Sequence, residues 1–296
     1  MGDPGHGTPL VMGDTVSYIT RQYDLVAVDR WTGGVRWRAV LSRPSTPANL
    51  RLIDAGRTIV AGVEALEAFD AATGTEVWRA PGLGRYLGIA ARGAVLTGSG
   101  DGRLHRLDPG DGRSRWTSVV SAGATVYAPK ADAHGGVAAF ATPDQVGLVA
   151  FDVDTGALRW QRTWPTDPQL GGGWGGGPLL VGPIIVMAEV DGRLCGIDRE
   201  TGDTRWTVPA PAPAPGVPLR RDYRALEAKA HTVFTSSMDG SVAAYRLSVN
   251  EVPRLLWTYR ESQNGSAGFG LTLGARWLWC PFIGGLVALD PATGRE

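Results

Sequence analysis

The chain is a succession of short apolar runs, three to six residues long, broken by Gly, Pro, Asp and Thr. Residues 179–208 show the pattern at its clearest. Leu179 to Val181 and Ile184 to Ala188 are apolar, and the second run is rich in β-branched residues that favour strands. Asp191-Gly192 follows, a pair that tolerates the positive φ of a two-residue hairpin. Leu194 to Asp198 and Thr204 to Val208 complete the set, joined by Asp198-Arg-Glu-Thr-Gly202, in which Asp accepts local backbone bonds and Gly takes the left-handed position. Four antiparallel strands and almost no helix are predicted.

The third-strand segment recurs. "LVAFDVDTGALRW" at 148–160 would, standing alone, suggest a metal loop or a phosphate cradle. It has copies in "LVAVDRWTGGVRW" (25–37), "LEAFDAATGTEVW" (66–78), "LHRLDPGDGRSRW" (104–116) and "LCGIDRETGDTRW" (194–206), a degraded copy in "VAAYRLSVNEVPRLLW" (242–257), and a last one in "LVALDPATGRE" (286–296). The anchors Asp29, Asp70, Asp108, Asp152, Asp198, Arg246 and Asp290 are spaced by 38 to 48 residues. A period of this size built from short strands predicts propeller blades, so the segment is scaffold. Trp37, Trp78, Trp116, Trp160 and Trp206 each follow the turn glycine by four positions and suit a repeated task of filling the wedge between twisted sheets. The residue two before the anchor is small (Ala27, Ala68, Ala150, Gly196, Ala288) and is expected to leave room for a neighbour's indole; Arg106 breaks this rule.

The expected fold is all-β: one seven-bladed β-propeller of four-stranded antiparallel blades over 1–296, the last blade lacking its outer strand. The blades run at approximately 9–40, 50–80, 86–120, 126–163, 177–208, 222–258 and 269–296. Blade 1 starts near Pro9, and residues 1–8, with Pro4 and three glycines, make a poor substitute strand. In blade 6 a longer loop containing Pro253 precedes Trp257. Either blade 7 has three strands or the chain is part of a longer one.

"LVALDPATG" and "LVAFDVDTGALRW" resemble the tryptophan-docking repeat of the bacterial quinoprotein-type, or PQQ-like, β-propellers, and the resemblance covers nearly the whole chain. That superfamily holds quinone- and calcium-dependent alcohol dehydrogenases, non-catalytic scaffolds such as the lipoprotein of the outer-membrane β-barrel assembly machinery, and sensor domains of bacterial kinases. The fold does not choose among them. The dehydrogenases typically have eight blades and an adjacent cysteine pair over the cofactor, whereas Cys195 and Cys280 lie 85 positions apart. No cluster matches their calcium ligands.

Composition narrows the chemistry. Lys+Arg and Asp+Glu balance at 29 each, so nothing electrostatic points to nucleic acid or an anionic membrane surface. No apolar stretch is long enough to span a bilayer. The N-terminus has no signal-peptide pattern, which gives a cytoplasmic expectation for the chain as written and an extracytoplasmic one for a segment of a longer parent. Two cysteines in non-adjacent blades are expected to be free and buried. The four histidines are scattered, without metal-ligand spacing, and neither a nucleophile-elbow nor a phosphate-loop motif occurs. No cofactor, metal or catalytic residue is assigned.

A site is expected where long returns join one blade to the next. The returns after blades 4 ("TWPTDPQLGGGWGGGP"), 5 ("PAPAPAPGVPLRRDY") and 6 ("YRESQNGSAGFG") are the long ones, on the rim of the channel mouth, where function collects. Tyr86, Tyr127, Trp174, Tyr223 and Phe269 recur before the innermost strand of five blades. Arg220 and Arg221 beside Tyr223 suit anion recognition. Trp174, flanked by glycines, is the expected main anchor. A non-catalytic scaffold that binds a protein partner or a small-molecule ligand there is the expected function; an oxidoreductase or other enzyme using the same mouth is the alternative.

Overall fold

Strand two of blades 2, 3 and 5 is buried at every position, and the computed structural model shows why: its side chains feed two cores. In blade 2, Ile59, Ala61 and Val63 pack with Ile19, Leu25 and Trp37 of blade 1, while Val60 joins Leu66, Trp78, Leu87 and Val95 on the blade 3 side. Alternate side chains of a strand point to opposite faces, so a strand between two neighbours reads as a continuous apolar run. The outer strand is covered on one face only, and Glu76–Ala80 alternates accordingly, with Trp78 buried between exposed neighbours.

The structure describes residues 5–43, 50–91, 93–165, 177–189, 193–209, 223–237, 240–248, 251–260, 270–282 and 285–296; residues 5–8, 90 and 223–225 are described by backbone alone. They form a β-propeller of seven antiparallel blades, in two compact units: Met1–Thr142 with Phe151–Arg159, and Pro143–Ala150 with Trp160–Glu296. Blade 5 runs Leu179–Val181, Ile184–Ala188, Leu194–Asp198 and Thr204–Val208, the four segments that its sequence predicts. Blade 7 has three strands among the described residues, Thr272–Leu273, Leu278–Phe282 and Gly285–Leu289. The helical content among the described residues is one 3-10 turn, Gly84–Tyr86.

Three details depart from the sequence reading. The inner strand of blade 1 is Gly5–Met12, starting before Pro9; its register slips between His6 and Leu10, and Pro9 stands in the slip, where no ladder N–H is required. The inner strand of blade 4 is broken into Thr125–Val126 and Lys130–Asp132, both paired with Gly135–Ala141. The third departure concerns the indoles. The small residue two before the anchor faces the Trp of its own blade, not a neighbour's: Ala27 pairs with Trp37, Ala68 with Trp78, Gly196 with Trp206 and Ala244 with Trp257. A Cβ on Gly196 would lie 2.0 Å from the Trp206 ring.

Having crossed its own blade, the indole reaches the turn of the next. Nε1 donates to the carbonyl one residue after the following anchor: Trp37 to Ala71 (3.0 Å), Trp78 to Pro109 (2.8 Å), Trp116 to Val153 (3.0 Å), Trp160 to Arg199 (2.8 Å) and Trp257 to Pro291 (3.1 Å). Its ring lies on that turn's glycine, where a Cβ would come within 2.5 to 2.7 Å at Gly74, Gly112, Gly202 and Gly294. In blade 3 Arg106 replaces the small residue, and Trp116 is only half-buried. Arg106 itself donates to the Asp154 carbonyl in the next turn at 3.1 Å.

The blade 5 indole, Trp206, is the exception. Blade 6 has Arg246 at the anchor and the longer Pro253 loop, so its sequence lacks the Asp-x-x-x-Gly turn of the other acceptors. Trp206 is buried with Nε1 unpaired. Trp160→Phe and Trp206→Phe remove the same indole nitrogen, but only the first breaks a hydrogen bond. Trp160→Phe should therefore cost about 1 kcal/mol more in urea denaturation. Equal costs would show that the indole–carbonyl bond contributes nothing.

The anchors work as turn caps. Asp152 Oδ1 accepts from the Asp154 and Thr155 N–H groups and the Thr155 hydroxyl, while Oδ2 accepts from Arg159 at 3.0 Å. Those bonds, the Thr155 N–H first and Arg159 next, hold its pKa at about 2. Asp29, chiefly through Arg36, and Asp70, chiefly through Thr73, are held down likewise. A carboxyl whose pKa is lowered by folding holds its proton more weakly in the native state. Stability should thus be level from neutrality to about pH 4 and fall as pH drops toward 2. Asp152→Asn should flatten part of that fall in melting temperature against pH; an unchanged slope would remove the turn aspartates from the account.

Candidate functional site

Tyr86 closes the 3-10 turn after blade 2, and Tyr127 follows the short strand Thr125–Val126 of blade 4. Glycines bring these segments together. A Cβ on Gly98 would lie 2.2 Å from the Val126 carbonyl oxygen, and one on Gly88 2.4 Å from that of Pro129. Only glycine permits so close an approach of backbone. The two rings meet edge to face, centroids 5.8 Å apart and planes at 87°, a favoured aromatic geometry. Tyr86 is half-buried and Tyr127 is 42% exposed. Burial, then the neighbouring Tyr86, pushes the Tyr127 hydroxyl pKa up, so it stays protonated near neutrality. Arg85 Nε stands 3.8 Å from Glu64 Oε2, and Lys130 is half-buried on the broken inner strand. The arrangement offers an aromatic surface that carries the exposed Tyr127 ring.

Two of the seven sequence-selected residues, Tyr86 and Tyr127, are thus brought together. Tyr223 opens the inner strand of blade 6, Tyr223–Lys229, and is described by backbone alone, paired with Ser237. Trp174, Arg220, Arg221 and Phe269 lie outside the described residues.

A Ser-His-Asp grouping was not singled out from the sequence. His105 Nε2 is 3.3 Å from Ser99 Oγ, and Ser99 also bonds Asp101. Its connectivity differs from a nucleophilic triad, in which the acid orients the imidazole. Here the acid binds the serine, and Nδ1 faces Thr117 Oγ1 at 3.1 Å. Ser99 Oγ also accepts from the Arg103 N–H at 3.3 Å, so the cluster braces the Asp101-Gly102 hairpin. Burial, the largest influence on it, lowers the His105 pKa.

The thiols are equally confined. Neither Cys195 nor Cys280 is in a disulfide, both are buried, and burial pushes the Cys280 pKa up to about 12, far from a reactive thiolate. Among the described residues no group of three or more His, Cys, Asp or Glu could hold a metal ion. Two cavities of about 260 and 120 Å³ open at blade seams, beside Asp54, Gly93 and Pro109 and beside Pro183, His231 and Leu247. The first lies by the Pro109 turn that receives Trp78. Both are smaller than the usual small-molecule pocket of roughly 300–1,000 Å³.

Trp31 is an exposed aromatic that sequence reasoning missed. It is 73% exposed in the blade 1 turn, with the Arg30 guanidinium 4.9 Å over its ring and its Nε1 donating to Asp14 Oδ1 at 3.2 Å. The signal was available: the same turn position holds Ala72, Asp154, Glu200 and Ala292 in other repeats.

No helix among the described residues is long and apolar enough to cross a membrane, which says nothing of strands. Comparison with known proteins agrees with the repeat pattern. A family model described as outer membrane protein assembly factor BamB matches residues 62–296. The protein of that name from Bordetella pertussis is 32% identical over 137 residues, which make up 45% of this chain and 32% of that protein. The one from Xanthomonas campestris pv. campestris is 27% identical over 166 residues, 53% of this chain and 39% of that protein. The chain therefore spans well under half the length of these relatives. The crystal structure of BamB from Moraxella catarrhalis superposes with a TM-score of 0.72 over 97% of this chain and 85% of that one, at 19% identity, a likeness of fold. With tryptophan-docked blades, three strands in the last of them and a family match over most of its length, the chain belongs to the PQQ-like repeat β-propellers of the outer membrane protein assembly factor BamB family.

Proposed function

We propose that this protein is a non-catalytic scaffold of outer-membrane protein assembly, which binds partner proteins through aromatic side chains at the returns between blades. The observation that carries the reading is the Tyr86–Tyr127 pair: two rings in edge-to-face contact, one of them exposed. Rigid amphipathic aromatics lose little side-chain entropy on contact and are enriched among the residues that dominate binding energy. The names of the matched relatives supply the assembly context. The reading extends to Trp174 as main anchor with Tyr223 beside it at the rim, Arg220 or Arg221 supplying charge for acidic groups, and Phe269. It also sets the protein outside the cytoplasm.

A photoreactive phenylalanine at position 127, irradiated in whole cells, should yield adducts with proteins of outer-membrane assembly. The same group at Leu158, on an outer strand, should not. Trp174→Ala should weaken binding of a captured partner by about 2 kcal/mol or more, and should cost less stability than Trp160→Ala. Equal adducts at both positions, undiminished binding by Trp174→Ala, or a stability loss in that variant as large as in Trp160→Ala would each end this assignment.

A further inference from the structure

Arg51 opens the inner strand of blade 2, Arg51–Asp54. Its neighbours show which way it faces. Leu52 and its partner Ala61 pack toward blade 1, while Ile53 and its partner Val60 pack toward blade 3. Side chains alternate along a strand, and cross-strand partners share a face. Arg51 and its partner Gly62 therefore lie on the blade 3 side. That side is closely occupied: a Cβ on Gly62 would lie 2.6 Å from the Gly84 carbonyl oxygen and 2.7 Å from Leu87 Cβ. Arg51 is thereby placed beside the Gly84–Tyr86 turn, which carries Arg85 and Tyr86.

The next seam repeats the step. Gly98 closes strand two of blade 3 as Gly62 closes that of blade 2, and Tyr86 precedes Leu87, the inner-strand partner of Thr97. The Gly98 face meets the backbone of Val126 and Tyr127. Tyr86 thus reaches Tyr127 from the place that Arg51 holds one blade earlier. Arg51, Tyr86 and Tyr127 follow one another across blades 2, 3 and 4: a guanidinium, then an edge-to-face pair with an exposed ring.

Arg51 lacks a counter-charge. It is exposed to solvent, yet burial of its guanidinium among protein atoms lowers its pKa, with no carboxylate opposing the shift. Among the described residues no acid forms an ion pair with it. Glu64 is engaged by Arg85, Nε to Oε2 at 3.8 Å. The residues 44–49, PSTPAN, contain no acid. A partly desolvated guanidinium without a partner is stabilised by an incoming carboxylate, which it can grip through two parallel N–H bonds.

We propose that Arg51 is the anion-recognising residue of the Tyr86–Tyr127 site, and that the site takes an acidic segment of a partner protein. An Asp or Glu of that segment sits on Arg51, and a neighbouring apolar or aromatic side chain rests on the exposed Tyr127 ring. Charge complementarity selects this occupant: Arg85 precedes one ring and Lys130 follows the other, so a basic segment is repelled. The proposal rests on the partner-binding reading above and adds the chemistry of the partner.

The probe is a phage-displayed library of random heptapeptides, selected in vitro on the immobilised full chain. Asp or Glu close to Phe, Tyr, Trp or Leu should be enriched, and the enrichment should vanish on Arg51→Gln protein. An enriched peptide, fluorescein-labelled and titrated by anisotropy, should bind Arg51→Gln at least about tenfold more weakly. Arg51→Lys should fall between the two, since lysine keeps the charge and loses the fork. Tyr127→Ala should weaken binding several-fold. Gln or Asn in place of the peptide's acids should cost as much as Arg51→Gln; that comparison leaves the protein untouched and holds even where a variant disturbs folding. No enrichment of acids, equal binding by Arg51→Gln, or displacement of the peptide by millimolar inorganic phosphate at constant ionic strength, which would assign Arg51 to a free anion, would each overturn the proposal. The selection needs no assembly protein, so it and position-127 crosslinking in cells fail independently.

Discussion

Trp78→Ala lowers the stability of the protein by about 3–5 kcal/mol, the cost of truncating a large buried aromatic. The indole is central to the core shared by blades 2 and 3, with Val60, Leu66, Ala68, Leu87, Val95 and Leu107. Truncation empties that space. It also removes the indole donor from the Pro109 carbonyl, at 2.8 Å, and the surface on which Gly112 rests. Chemical denaturation of the variant and the parent measures the difference. A loss below about 1 kcal/mol would mean that the blades are held mainly by their apolar second strands, with the indoles dispensable.

Gly112→Ala costs about 3–5 kcal/mol, whereas Gly33→Ala costs about 1–2 kcal/mol, the left-handed penalty alone. The two glycines hold the same turn position with nearly the same backbone, φ +69° and +71°, and each donates its N–H to the anchor Asp carbonyl at 2.9 Å. They differ in what an added Cβ would meet. At Gly112 it would lie 2.6 Å from the Trp78 ring; at Gly33 nothing lies within 4 Å. The pair therefore separates backbone strain from displacement of the indole. Equal losses would show that the docking contact yields at little cost, against the close packing of the wedge.

Much of the scaffold was legible because each repeat states the same local rules. Asp at the anchor, Thr three later and Gly four later each meet a local requirement: an acceptor for orphan N–H groups, a hydroxyl to bond it, and a positive φ. Six copies carry the anchor Asp, and the degraded one, with Arg246 and Pro253, is the one whose incoming indole, Trp206, is left without an acceptor. The candidate site was less legible. The spacing of Tyr86 and Tyr127 before their inner strands marked them as equivalent, and they do meet. Yet their contact depends on Gly88 and Gly98 allowing backbone from blade 4 to approach, which neither tyrosine's own surroundings in sequence reveal. Trp31 was overlooked because a turn position carries no apolar period.

By itself the sequence determined the strands, their turns and the number of blades, since these depend on interactions among residues fewer than about fifteen apart. It could not determine the partners of the indoles. Trp37, Trp78, Trp116 and Trp160 find their acceptors 31 to 39 residues away, across the seam between two blades. That choice depends on how twisted sheets pack, so the small residue that looked like space for a neighbour's ring proved to accommodate the blade's own. Tertiary structure alone also decided exposure: Leu286 and Leu25 hold the same place in the repeat, yet the first is 62% exposed and the second 0%, closed off by Ile59, Ala61 and Val63 of blade 2.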